Sequence, residues 1–193
     1  MALTVDLPDE RTRAIVAFLT AIGIPVRLGP VTGPTAVPAI TIEPGGLVLD
    51  PDGGHHAGDL LHEAGHLALL PPSHRATAQG LLDADAGSAT ELGAICWSVA
   101  AARHLGYALD IVFHADGYRG DGAWLAETFD AGHAPGLPVL QWAGLTWAPG
   151  HAPPGADPYP AMRQWLRTTE LATDDPAEMA PEPPSRPRPD PPT

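Results

Sequence analysis

The run Leu60-Leu61-His62-Glu63-Ala64-Gly65-His66-Leu67-Ala68-Leu69-Leu70 constrains this chain more than any other stretch. Its apolar residues suit a buried helix, and a helix sets positions i and i+4 one above the other on the same face. His62 and His66 therefore offer two imidazole nitrogens to one metal ion. Glu63 leaves the helix at a neighbouring angle and can reach a water on that ion. Polar groups inside a buried helix need partners, and a metal would supply them. Asp59 suits the helix N-terminus, and Pro71-Pro72 should end the helix.

The rest of the chain reads as supports for this helix. Residues 7–22 form a helix opened by Pro8, Asp9 and Glu10, with Ile15, Val16, Phe18, Leu19 and Ile22 as its apolar face and Gly23 as its stop. Residues 24–28 suit a short edge strand, since Pro25 is awkward in a central one. Residues 39–43 and 47–50 read as strands joined by a Pro44-Gly45-Gly46 turn. One strand edge could align a peptide by strand addition. His55 and His56 lie in a loop over 51–58; solvated histidines are the simpler reading, a lip of the site the other. Residues 73–86 read as loop.

Residues 87–105 form the second strong helix, capped by Ser88 or Thr90. From Leu92 to Ala102 it is almost wholly small or apolar, so it is buried around most of its circumference. Residues 107–118 read as an extended segment and a turn. Residues 120–131 read as a helix packing through Trp124, Leu125 and Phe129. The apolar stretch 136–147 packs on the core, and a last short helix is expected around Met162, Trp165 and Leu166, over 159–169. Trp97, Trp124, Trp142 and Trp147 read as core. Eight of the 23 residues from Leu171 onward are Pro, too little apolar material to fold, so 171–193 reads as a disordered tail.

Composition excludes some roles. A formal net charge of −13 argues against binding nucleic acid, which needs a basic face. A single cysteine, Cys96, excludes an intrachain disulfide and reads as a buried structural thiol. No apolar run reaches the ~18 residues of a membrane helix, and residues 1–6 lack a secretory pattern, so a cytoplasmic location is expected.

Two histidines need a third protein ligand, with water in the fourth position of a catalytic zinc site. A continuation His-Glu-x-x-His-x-x-Gly-x-x-His would require Gly at 69 and His at 72, where the chain has Leu69 and Pro72. Glu91 is the best candidate: it is the lone acid of a buried helix, and an unpaired buried carboxylate is costly. The alternatives are a helix N-terminal role for Glu91, with His74, Asp83 or Asp85 as the ligand.

Leu61-His62-Glu63-Ala64-Gly65-His66, followed by Glu91-x-x-Ala94 at the start of an alanine-rich helix, resembles the ImmA/IrrE type of compact gluzincin metallopeptidase. The likeness covers about residues 38–105. Phe113-His114-Ala115-Asp116-Gly117-Tyr118-Arg119-Gly120, with Gly136-Leu137-Pro138, is similar to bacterial proteins of unassigned function that carry the same core. The resemblance implies one zinc ion on His62, His66 and Glu91, Glu63 as general base, and a protein or peptide substrate. It implies an α+β fold: a zincin-like core with a small antiparallel sheet packed on the motif helix and a glutamate-bearing helix, in one domain over residues 1–170. The family pattern usually has Asp after the Ala of Glu-x-x-Ala; here that position is Ile95, which removes one expected support for a histidine ligand.

For peptide hydrolysis, Glu63 would take a proton from water and pass it to the leaving amine. Tyr118 and His114 are the candidate oxyanion donors, although a Tyr beside Gly117 also suits simple packing. Two rival readings remain. One is a non-catalytic regulatory or partner-binding protein whose metal is closed by His55, His56 or His74. The other is a zinc hydrolase acting on a non-peptide substrate.

Overall fold

The computed structural model describes residue 7 and residues 9–82 and 89–170. Ser88, Asp83, Asp85 and the Pro-rich segment 171–193 lie outside the described residues. The fold is α+β, with six α-helices and one three-stranded sheet among the described residues. No helix among them is long and apolar enough to cross a membrane.

Helix α1 spans Glu10–Ala21. The Asp9 carboxylate caps it by accepting the Thr12 backbone N–H at 2.9 Å and the Thr12 hydroxyl at 2.7 Å. Gly23, at φ 96°, turns the chain out of the helix. Strand β1 (Val26–Leu28) follows, then the hairpin of β2 (Ile40–Glu43) and β3 (Gly46–Leu49). The hairpin is antiparallel, as expected, but the sheet is mixed: β1 lies parallel to β3 on its far side, in the order β1-β3-β2. The reason is topological. The loop from β1 to β2 crosses to the opposite edge, so β1 and β3 run the same way.

Helix α2 (Ala57–Leu69) carries the metal motif and starts two residues earlier than Asp59 suggests. His56 is the residue at its N-terminal cap, and the Asp59 carboxylate accepts the His56 backbone N–H at 3.4 Å. The helix ends where Leu70 turns extended before Pro71. Pro72–Arg75, expected as loop, forms the single turn α3. The following residues return to the sheet, where the Gly80 N–H donates to the Ile42 carbonyl at 2.9 Å. Part of the β2 edge is thus already paired.

Helix α4 (Ala89–His104) is buried continuously from Gly93 to Ala102 and packs chiefly on α2. The segment expected to be extended after it is instead a 3₁₀ turn, Leu109–Ile111. Leu109, Ile111, Val112 and Phe113 are all buried against helices, with no sheet edge beside them, so the backbone closes its own hydrogen bonds. Helices α5 (Gly122–Asp130) and α6 (Leu137–Trp142) complete the helical set.

Residues 159–169 form no helix. They run as an irregular strap: the Arg163 N–H donates to the Leu145 carbonyl and the Arg167 N–H to the Ala68 carbonyl. Pro158 and Pro160 lack the donors a helix would need there. The tryptophans divide. Trp97 is fully buried and donates its indole N–H to the Trp165 carbonyl at 2.9 Å. Trp124 and Trp142, expected in the core, are 64% and 65% exposed. Trp142 is covered on one face by the Arg167 guanidinium, 4.1 Å from its ring centre. Cys96 is buried as expected, and burial pushes its thiol up to about 12, so it is inert.

Candidate metal centre

Helices α2 and α4 meet closely at Gly65 and Ala94. A Cβ on Gly65 would lie 2.8 Å from the Ala94 carbonyl oxygen and 3.1 Å from its Cα, so a larger residue would push the helices apart. Glu91 lies one turn before Ala94 and reaches both histidines. His62 Nε2 is 3.4 Å from Glu91 Oε1, His66 Nε2 is 3.2 Å from Glu91 Oε2, and the two Nε2 atoms are 3.1 Å apart. Donors ~2.05 Å from a tetrahedral ion stand ~3.3 Å from one another. The two nitrogens have about that spacing, each lies that far from one oxygen of the Glu91 carboxylate, and the imidazole planes stand at 87°, so their lone pairs can converge.

Electrostatics favour the ligand forms. Burial, and then the neighbouring His66, hold His62 down to about 4, so it is a neutral donor at neutral pH. Burial pulls Glu91 upward, but the hydrogen bond to His66 and the two imidazoles outweigh it and keep the carboxyl below its usual range. Glu63 differs. Burial pushes it up to about 7, the residue is 5% exposed, and Oε1 has no hydrogen-bond partner. It faces a cavity of about 280 Å³ that it shares with His62, His66 and Glu91, walled also by Ala36, Val37 and Leu82.

Tyr118 and His114 both line a second, larger cavity of about 600 Å³ that reaches His62 and Glu91. The Tyr118 hydroxyl lies 3.4 Å from His62 Nδ1, the ring nitrogen opposite the one that faces Glu91. If Nε2 takes a metal, Nδ1 carries the proton and can donate to Tyr118. This contact gives the His62 ring a hydrogen-bond partner where the apolar Ile95 side chain offers none. Burial and then the nearby carboxylates raise the Tyr118 phenol, so it remains a proton donor. Tyr118 and Arg119 sit at φ 51° and 54°, left-handed conformations that non-glycine residues adopt at a cost.

His114 is engaged elsewhere. Its Nε2 is 3.0 Å from Asp59 Oδ1, and its ring stacks on His56 at 3.7 Å and 12°. When Nε2–H donates to Asp59, Nδ1 is an acceptor and becomes a donor only in the imidazolium form. His56 pairs with Asp116 at 3.2 Å, and His55 Nε2 lies 3.3 Å from the Thr12 hydroxyl. Both loop histidines are half-buried and partnered, not simply solvated. His74 is on the surface of α3 beside Ser73. None of these three joins the triad, so the described residues bring His62, His66 and Glu91 together with no fourth protein ligand.

Sequence reasoning missed the Asp59–His114 pair and the apolar wall formed by Leu92, Ile95, Trp124 and Leu125. One signal was available for Trp124. It sits with Thr128 off the buried stripe of α5, at a position where a helix normally carries a polar residue. No family model, curated protein or solved structure matches this chain.

Proposed function

We propose that this chain is a zinc-dependent hydrolase with a zincin-like core, a peptidase similar to the ImmA/IrrE-like gluzincins. The observation that carries this reading is convergence. The His62 and His66 Nε2 atoms stand 3.1 Å apart, each lies 3.2–3.4 Å from one oxygen of Glu91, and the buried Glu63 carboxylate, with Oε1 unpartnered, opens onto the same cavity. Structural zinc sites are usually closed by four protein ligands, and His55, His56 and His74 each lie elsewhere, which favours an open, catalytic arrangement.

His62, His66 and Glu91 would hold the ion. Zinc bound there supplies Lewis acidity toward a carbonyl and a water. Glu63, held near neutrality by burial, takes a proton from the attacking water and returns it to the leaving amine. Tyr118 orients His62 through Nδ1, and its hydroxyl hydrogen remains available to a developing oxyanion. His114, when protonated against Asp59, is the second donor.

The test is hydrolysis of a mixture of unstructured peptides by the zinc-loaded chain, read by mass spectrometry. Glu63→Gln should keep zinc and slow cleavage by about 10²–10⁴-fold. Unchanged turnover in that variant would exclude Glu63 as the base.

A further inference from the structure

The larger cavity, about 600 Å³, lies within the range of about 300–1,000 Å³ usual for small-ligand sites. Its lining is mixed: Asp59, His62, Glu91, His114, Arg119 and Asp121 are polar, and the other side is hydrocarbon and aromatic. Leu92 and Ile95 come from the glutamate helix, Trp124 and Leu125 from α5. Ile95 sits one turn beyond Glu91 and is 6% exposed, so the wall next to the triad is hydrocarbon where the resembled pattern has a carboxylate. Trp124 lines the same cavity and yet is 64% exposed. Folding does not explain that position, because α5 buries Phe129 and packs Leu125 and Ala126 against the core without it. A large aromatic left in water at the rim of a cavity is apolar area waiting for an occupant.

The charges narrow the occupant. Arg119 faces the carboxylates Asp59, Glu91 and Asp121 in the lining, so acids outnumber the permanent cation there and, with the net charge of −13, oppose an acidic guest. Glu91 is engaged by two histidines, and Asp59 by His114 and the His56 backbone, so neither is available to neutralise a buried cation, and Asp121, the remaining acid of the lining, is exposed to solvent.

Resting on the hydrolase reading above, we infer that this cavity is the specificity subsite of the enzyme. It takes one large apolar side chain, aromatic or branched aliphatic, from a residue flanking the scissile bond. Ile95 and Leu125 form its floor and Trp124 its rim. The substrate is therefore a peptide with a bulky apolar residue at the cleavage site.

The test is calorimetric binding of three hydroxamates to the zinc-loaded full chain: acetohydroxamate, phenylpropionyl hydroxamate and aminohexanoyl hydroxamate. The phenyl compound should bind about tenfold or more tighter than acetohydroxamate. Trp124→Ala, a change at an exposed position, should reduce that preference to below about threefold. Ile95→Phe, which fills the cavity, should do the same. Equal affinities, a preference for the amino compound, or a phenyl preference that survives both variants would overturn the subsite. Loss of acetohydroxamate binding in the zinc-loaded wild type would overturn the metal reading itself, a separate outcome.

Discussion

Two clusters of histidine and carboxylate lie within a turn or two of each other, each with donor atoms close enough for one ion, and they differ in ring orientation. In the first, His62 and His66 share the Glu91 carboxylate, one oxygen each at 3.2–3.4 Å, their rings stand at 87°, and their Nε2 atoms are 3.1 Å apart. In the second, His56 and His114 stack at 3.7 Å with planes 12° apart. Parallel imidazoles aim their in-plane lone pairs side by side, so one ion cannot lie along both. Each instead has its own carboxylate, Asp116 for His56 and Asp59 for His114. Residue type and proximity are alike in the two clusters; ring orientation is what distinguishes them, and it is the ground for proposing the metal at the first.

The largest test of that contrast is metal content. Glu91→Ala should lower bound zinc from about one ion per chain to below about a tenth, measured by atomic emission on dialysed protein. Asp116→Asn and His56→Ala should leave it at about one. Zinc retained without Glu91 would remove the third ligand from the proposed site. Zinc lost with Asp116 would mean that the stacked cluster coordinates after all.

The first cluster was legible in the sequence because each of its parts is local or chemically conspicuous. His62, Glu63 and His66 lie within one apolar helix with a Pro stop, and Glu91 is the one acid on a helix otherwise small or apolar. The β2–β3 hairpin was equally legible, because Pro44-Gly45 marks its turn. The second cluster was not. His56 and His114 meet only because the turn after α4 folds back over the start of α2, a contact no local pattern encodes. The same holds for β1, whose parallel pairing depends on where a long loop crosses. Residues 109–113 carry β-branched and aromatic side chains that favour a strand, but tertiary packing gives them no strand to pair with. The size and apolarity of Trp124 favour the core, but its place on the helix face turns it outward.

A second prediction compares the acids of the two regions. The Asp59 carboxylate has two donors, the His56 backbone and His114, whereas Glu63 Oε1 has none. In the metal-free protein the native Glu63 carboxyl is pushed up to about 7 by burial, from an ordinary value of 4.5. The native state therefore holds a proton that the unfolded chain has already released between those values, and stability falls as pH rises through that window. Above it the buried charge costs on the order of 3 kcal/mol. Metal-free Glu63→Gln should thus be more stable than wild type by ~2–3 kcal/mol at pH ~8 and similar to it at pH ~4, by urea denaturation. Zinc should shrink the difference, because the cation stabilises the carboxylate. Asp59→Asn should show no such gain at high pH, since it weakens a satisfied pair. A Glu63→Gln advantage independent of pH would mean that the cost is steric and not the buried charge.

The smallest expected effect sits between the clusters. Tyr118 packs on Phe113, with ring centres 5.1 Å apart, and its hydroxyl meets His62 Nδ1 at 3.4 Å. Tyr118→Phe keeps the packing and the left-handed backbone and removes only the acceptor for the Nδ1 proton. Partners of this kind fix the tautomer and ring orientation of a ligand, and losing one typically costs about 10–100-fold in metal affinity. The long contact here points to the lower end, so zinc affinity measured against a competing chelator should fall about tenfold, with the thermal midpoint of the metal-free protein unchanged. An unchanged affinity would reduce Tyr118 to packing and leave the His62 ring oriented by its helix alone. A matching fall in His114→Ala would extend the support to the stacked pair and blur the boundary between the two clusters. The contrast therefore depends on whether a single phenolic oxygen, held by two residues in left-handed backbone, is there to hold one imidazole in place.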